Sequence, residues 1–339
     1  MLSIKRGKQR DTHLAVLAAI TLGVFVVLGI FLQGQFFSLR NFQSMAYQFP
    51  EFGCFALAMT IAMISGGIDL SVIANANLSG IMAAFILTKT ITPETSGFGS
   101  ILLIILAILA ALTVSSLCGL VNGALIAFVG IPAILATLGT MTFYTGIGMA
   151  VTQGVGVVGF PEQFLAIGSG KIGLLPFPLL IFAAAVIIVS LILNKTVFGQ
   201  SVYLFGANPI ATLFSGIHNT SVTLKAYLLS GLLAGCSSII MISRVNSAKV
   251  GYGDTYLLQA ILVAVLGGVN PVGGQGKVSG VLMGIMILQS LQNAFTLFMF
   301  TPYAKRLIWG LMLLLVMIIH FINLRYQERA KIRAMVSQS

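Results

Sequence analysis

Residues 101–128 read Ile101-Leu-Leu-Ile-Ile-Leu-Ala-Ile-Leu-Ala-Ala-Leu-Thr-Val-Ser-Ser-Leu-Cys-Gly-Leu-Val-Asn-Gly-Ala-Leu-Ile-Ala-Phe128, and not one of them carries a charge. At 1.5 Å per residue a helix over this run reaches about 40 Å, more than the roughly 30 Å hydrocarbon core of a bilayer. A soluble helix of that length presents a polar face; this one offers only isolated small polar residues and Asn122. It reads as a membrane span over 100–128. Working outward, nine further apolar runs read the same way: 14–33, 46–65, 70–89, 132–151, 176–194, 222–243, 256–269, 277–299 and 303–323. The first is too long for the apolar stretch of a signal peptide and reads as a retained span.

Composition agrees. Of 339 residues 58% are hydrophobic and 7% are charged, with a mean hydropathy of +1.05, where soluble domains carry about 25% charged residues. Lipid must be the solvent for most of the surface. The predicted fold class is an all-α, polytopic membrane protein of about ten transmembrane helices, some broken or re-entrant, forming one domain over 1–339. Ten passes put both termini on one side. The net charge of +11 reads as topology information rather than as a nucleic-acid groove. With both termini cytoplasmic, that side holds Lys5, Arg6, Lys8, Arg10, Lys195, Lys225, Lys277, Arg325, Arg329, Lys331 and Arg333. The other side holds Arg40, Lys89, Lys171, Arg244, Lys249, Lys305 and Arg306. The tails 1–13 and 324–339 and the long loop 195–221 are then cytoplasmic, and the glycine-rich loop 152–175 is external. Cys54, Cys118 and Cys236 lie in apolar runs and read as small buried hydrophobes, not as a disulfide framework.

The few polar groups at membrane depth carry the functional reading. Ser65-Gly-Gly-Ile-Asp69-Leu-Ser71 breaks an apolar run, and Asp69 there either caps the next helix or meets the solute. Asn75, Asn77, Asn122, Gln259, Gln289, Gln292 and Asn293 are amides in otherwise apolar helices. They either bond helix to helix or line a path for an uncharged polyhydroxylated solute, since amides both donate and accept. A charged solute would call for Arg or Lys at helix centres, and none is expected there.

An internal repeat is also visible. Ile64-Ser-Gly-Gly-Ile-Asp-Leu70 resembles Leu266-Gly-Gly-Val-Asn-Pro271 at an offset of 201, and Leu78-Ser-Gly-Ile-Met82 resembles Val278-Ser-Gly-Val-Leu282 at 200. Interrupted helices in corresponding halves are a mark of transport pathways. In the loop, Asn208-Pro209 suits a helix start, after which Ile210, Leu213, Phe214 and Ile217 share one face and Gly216 ends the turn. Such a face either seeks a partner or lies along the membrane interface.

Other strings lead nowhere. Gly154-Val-Gly-Val-Val-Gly159 lacks a βαβ context, Gly276-Lys277 lacks the remainder of a P-loop, and the three histidines have no metal spacing. No cofactor and no catalytic residue is expected.

Taken in order, Ile64-Ser-Gly-Gly-Ile-Asp-Leu-Ser71, Ile131-Pro-Ala-Ile-Leu-Ala-Thr-Leu-Gly-Thr-Met141, the loop 198–217 and Val265-Leu-Gly-Gly268 resemble the ribose-type permease family over nearly the whole chain. These are membrane subunits of bacterial ABC importers for ribose, galactose, xylose, arabinose and autoinducer-2. The resemblance implies a bacterial inner-membrane permease, not itself an enzyme. Its partners would be an ATP-binding cassette ATPase, a second permease subunit and an extracytoplasmic substrate-binding protein. It also implies that Gly206, Asn208, Pro209, Leu213, Phe214, Gly216 and Ile217 form the coupling segment seated in the ATPase. Asp69, Asn75, Asn77, Asn122, Gln259 and Asn293 are the candidate solute path. The chain departs from the family at Val72-Ile-Ala-Asn-Ala-Asn77, where Val-Gly-Ser is usual, and at Leu257, where an acidic residue is common. These departures leave the solute open beyond a small, polar, uncharged, sugar-like molecule. The competing reading is an ion- or proton-coupled secondary transporter, for which one buried carboxylate is thin; a membrane-embedded enzyme would need a catalytic cluster.

Overall fold

The computed structural model describes residues 2–91 and 96–336; the tail ends expected at residues 1 and 337–339 lie outside the described residues. In chain order the helices are α1 Leu2–Phe36, α2 Leu39–Ile64, α3 Val72–Lys89, α4 Gly97–Ala124, α5 Ala133–Thr152, α6 Glu162–Ser169, α7 Phe177–Lys195, α8 Val197–Ala207, α9 Pro209–Phe214, α10 Asn219–Val245, α11 Asp254–Leu266, α12 Val278–Leu297 and α13 Pro302–Val336. Four two-residue strands, β1 Val157–Val158, β2 Lys171–Ile172, β3 Leu175–Pro176 and β4 Ser247–Ala248, pair antiparallel as β1 with β4 and β2 with β3. Among the described residues nine helices are long and apolar enough to cross a bilayer. The tenth expected span is α11, an apolar helix of 13 residues, too short to cross alone. All ten expected runs are therefore helical, and the fold is all-α and polytopic.

Successive passes define two faces, named here for the short helices they carry. The α9 face holds the ends of α2, α4 and α7 and the starts of α3, α5, α10 and α12. The α6 face holds the opposite ends, with β1 and β4 bridging 157–158 to 247–248. At the centre stand α2, α3 and α10, with 83% of the apolar stretch of α2 buried against 6% for α13. Peripheral helices expose Leu102, Leu106, Leu109, Leu311, Leu314 and Ile318. That is the pattern expected when lipid is the outer solvent.

The closest helix pair, α4 with α10, shows how a membrane bundle packs without a hydrophobic driving force. Gly119 on α4 faces Gly231 on α10; four residues on from each, Gly123 packs on Leu224 and Tyr227, and Gly235 packs on Ser115. A Cβ on Gly119 would stand 3.1 Å from Gly231 Cα and press on the Tyr227 carbonyl, and one on Gly231 would press on the Ser115 carbonyl. Small residues at this spacing let two backbones touch, which maximises dispersion contacts between helices.

The repeat is real in geometry, with one correction to its register. At the end of α2, Gly66 has φ +86°, its N–H donates to Met63 O, and Gly67 N–H donates to Ala62 O. At the end of α11, Gly268 has φ +83°, its N–H donates to Val265 O, and Val269 N–H donates to Ala264 O. Both are the same helix-terminating motif, in which one residue must be left-handed. Gly66 thus matches Gly268, an offset of 202, because only one glycine of each pair needs the positive φ. The second likeness is not structural: Ser79-Gly80 lies two turns into α3, whereas Ser279-Gly280 opens α12. Both breaks lie on the α9 face, and the copies run in the same direction.

Overpacking a close backbone contact costs about 1–3 kcal/mol or more. Gly231→Leu is expected to lower the melting temperature in detergent, followed with a thiol-reactive dye on the buried Cys54 and Cys118. Gly23→Leu on α1, where a Cβ meets nothing within 4 Å, is expected to leave it unchanged.

Candidate translocation and coupling site

The first break is tied down by a polar network. Asp69, fully buried, accepts through Oδ1 from Ser71 N–H at 3.1 Å and Ser71 Oγ at 2.8 Å, and through Oδ2 from Ser230 Oγ of α10 at 3.0 Å. Asn122 of α4 donates to Ser71 Oγ at 2.7 Å and, more weakly, to Asp69 Oδ1 at 3.5 Å, while its own oxygen accepts from Thr140 of α5 at 2.6 Å. Thr137 of α5 donates to the Ile68 carbonyl at 3.0 Å. One carboxylate thus organises donors from the break and α10, with α4 and α5 joined through Asn122. In a dry interior these donors have no water to fall back on.

The other sequence candidates divide. Asn75 donates to the Ser115 carbonyl at 3.0 Å, next to this network. Its Oδ1, and that of Asn77, are buried without a partner, as are Gln289 Nε2, Gln292 Oε1 and Tyr227 Oη. Gln259 is buried on α11. Asn293 stands apart: it donates to Asn41 Oδ1 at 2.7 Å and ties α12 to α2. Asp69, Asn75 and Asn122 are therefore gathered in one place, and Asn293 is not.

A second polar constellation escaped the sequence reading. Glu51, 1% exposed within α2, takes both of its oxygens to Arg244 at the end of α10: Nη2 to Oε1 at 2.7 Å and Nε to Oε2 at 3.0 Å. Tyr256 of α11 donates to Glu51 Oε1, and Ser237 Oγ donates to the Glu51 carbonyl. Arg244, expected in an external loop, is instead the next-to-last residue of α10 and paired, so the expectation of a lone buried carboxylate is corrected. Glu51 was visible as a charge inside an apolar run. Its partner, 193 residues away, was not. The carboxylate reaches the side chain next to Leu257, where the family resemblance led one to look for an acidic residue.

On the α9 face, α9 begins as expected. Asn208 Oδ1 accepts from Ile210 and Ala211 N–H at 3.0 Å each, Pro209 occupies the first turn, and Gly216 has φ +76°. Thr212 is buried and donates to Asn219 Oδ1 at 2.9 Å, and Asn219 donates to the Pro209 carbonyl at 2.8 Å, pinning the helix to the start of α10. Ile210, Leu213 and Phe214 then stand 69%, 64% and 86% exposed. Ile217 does not extend that face; it lies beyond the helix, half-buried against the core. Gly206, one turn before α9, sits in a junction made of backbone. A Cβ there would press on the Ile64 carbonyl of the first break and stand 2.6 Å from Gly274 N, past the second break. Gly274 N–H donates to Ile64 O at 2.9 Å, and Tyr203 of α8 donates to Gly276 O at 3.0 Å. The two repeat copies thus touch each other and the segment leading into α9. Beside them a cavity of about 490 Å³ opens between α7, α8 and the start of α12, bordered by Asn194, Gln200, Tyr203 and Lys277.

Replacing Asp69 by leucine leaves each buried donor without an acceptor, at about 1–3 kcal/mol apiece. Asp69→Leu is expected to be strongly destabilised in detergent melts, with Asp69→Asn, which keeps an acceptor oxygen, in between. Equal melting of all three proteins would remove Asp69 as the organising acceptor.

Residues 41–317 match the family described as the permease component of the branched-chain amino acid transport system. The chain is 32% identical to the ribose import permease RbsC of Bacillus subtilis over 302 residues, 88% of this chain and 90% of that one. It is 32% identical to the L-arabinose permease AraH of Escherichia coli K12, covering 91% and 89%. It is 33% identical to the autoinducer 2 import permease LsrD of Klebsiella pneumoniae, covering 71% of each. No solved structure matches. Matched along most of its length by the family and by these relatives, the chain belongs to the permease family that contains the membrane subunits of ribose-type ABC importers.

Proposed function

We propose that the chain is the membrane-spanning permease of a bacterial ABC importer, carrying a small, polar, uncharged, sugar-like solute inward by alternating access. ATP is hydrolysed on a separate ATPase subunit, a second permease copy or paralogue completes the pore, and an extracytoplasmic binding protein delivers the solute. The α9 face is cytoplasmic, as are both termini, and 195–221 is the coupling loop of a single membrane domain. The observation that carries this reading is α9: a short helix held rigid by Asn208, Thr212 and Asn219, offering three large apolar side chains to solvent rather than to the fold. A pre-organised apolar helix is the form in which one protein seats in the groove of another.

In this reading an ATPase closing on α9 moves α8, and Gly206 passes that motion to both breaks at once. Asn75, Asn77, Asn122, Gln259 and Asn293 are proposed to contribute to the solute path. The unpaired oxygens of Asn75 and Asn77 are the acceptors freest to meet sugar hydroxyls. Asp69, with both oxygens occupied, is proposed to hold the path in shape next to them.

Phe214→Ala is expected to weaken co-purification of the cognate ATPase at least tenfold, as truncating an interface anchor costs about 2 kcal/mol or more, and Leu213→Asp/Phe214→Asp to abolish it while the permease still folds. Retained ATPase binding by the double variant, or uptake driven by a proton gradient in vesicles lacking the ATPase, would replace this reading with the secondary-transporter one.

A further inference from the structure

The two faces of the bundle are held by opposite kinds of contact. On the α9 face the end of α2, the end of α8 and the loop 267–277 meet through glycine backbone, with one main-chain hydrogen bond between the breaks. Tyr203 of α8 adds a side-chain bond to the Gly276 carbonyl, but no charged pair crosses this junction among the described residues, and small sliding of packed segments is inexpensive where no ion pair locks them. Toward the α6 face, α2, α10 and α11 are joined by Glu51, Arg244 and Tyr256, the one ion pair among the described residues. It is bidentate, with a third bond from Tyr256, and the carboxylate is out of water. Charge-assisted, forked bonds of this kind are the strong ones, and although Arg244 is 30% exposed, parting the pair leaves the buried Glu51 carboxylate uncompensated. A cycle that broke this pair on every turn would carry that cost in its barrier.

Arg244 also bears on the cap over that face. Its backbone is the surface on which Gly168 of α6 packs. Two residues on, Asn246 (φ +54°) accepts from Phe160 N–H at 2.8 Å, and β4 pairs with β1. The cap 157–169 is thus attached to α10 beside the residue that Glu51 holds.

We propose that Glu51 and Arg244 are positioning residues for transport: they form a strut that stays closed throughout the cycle. The strut makes the middle of α2, the end of α10 and the start of α11, with cap 157–169, one rigid body, so that motion entering at α9 is confined to the glycine junction. Its link to coupling rests on α9 as the ATPase seat; its rigid-body claim does not.

Three variants separate the possibilities: Glu51→Gln, Arg244→Gln, and the neutral double variant. Hydrogen–deuterium exchange is read on the full permease alone in detergent. Both single variants are expected to raise exchange about tenfold or more in 157–160, 246–248 and 254–258 together, leaving 203–207 and 272–277 unchanged. In the assembled importer in proteoliposomes, Glu51→Gln is expected to raise the ATP consumed per solute imported, with ATPase binding intact. The double variant, which leaves no unpaired charge, is expected to recover the melting temperature but not the exchange pattern or the ATP ratio. Exchange that rises uniformly over the chain, or only at residue 51, overturns the strut. So does a double variant that recovers every property, which would make the pair a stabilising contact alone. Loss of ATPase binding to α9 in the unmutated protein overturns the proposed function and leaves the exchange test of the strut standing.

Discussion

A helix that stops inside a dry, packed bundle leaves carbonyls and amides with no water to bond. This chain stops two helices there, α2 and α11, and the rest of the architecture follows from how those ends are satisfied. Each end folds back on itself around one left-handed glycine. Each then leans on the other, through Gly274 N–H to the Ile64 carbonyl, with Gly206 of α8 filling the remaining gap. The backbone groups that need partners are themselves most of the contact surface, with Tyr203 of α8 adding a side-chain bond to the Gly276 carbonyl.

The same demand explains Asp69. Beyond the first break the chain must start α3 with its N–H groups facing the interior, and a carboxylate two residues ahead accepts from Ser71 while also gathering Ser230. What looks like an isolated charge in the sequence is an acceptor surrounded by donors. Glu51 is satisfied differently, by a counter-charge on another helix. The two carboxylates therefore do different work: one shapes a break beside candidate solute contacts, the other clamps helices near the opposite face.

Stiffness and looseness are thus distributed by chemistry. Glycines on α4 and α10 bring backbones together, the ion pair joins three helices toward the α6 face, and the α9 face relies on main-chain contacts and the Tyr203 hydroxyl rather than on a charged pair. A transporter needs such unevenness, because a uniformly locked bundle could not alternate between packings.

Much of this could be read without coordinates. Apolar runs, most of them about as long as a bilayer core is thick, declare spans, since helix satisfies its own backbone in lipid. Asn208-Pro209 and Gly216 declare the limits of α9 through local capping rules. The Gly-Gly strings declare that α2 and α11 are interrupted. These features depend on neighbours within a few residues. Register and pairing do not. Whether the repeat matches at 201 or 202 turned on which glycine is left-handed; whether Ile217 faces out or in turned on where α9 ends. That Arg244 meets Glu51, that Asn293 meets Asn41 rather than Asp69, and that the two breaks touch each other were decided by helix packing across the chain. Polar residues in lipid must find partners, and sequence tells that they will; only the tertiary structure says with whom.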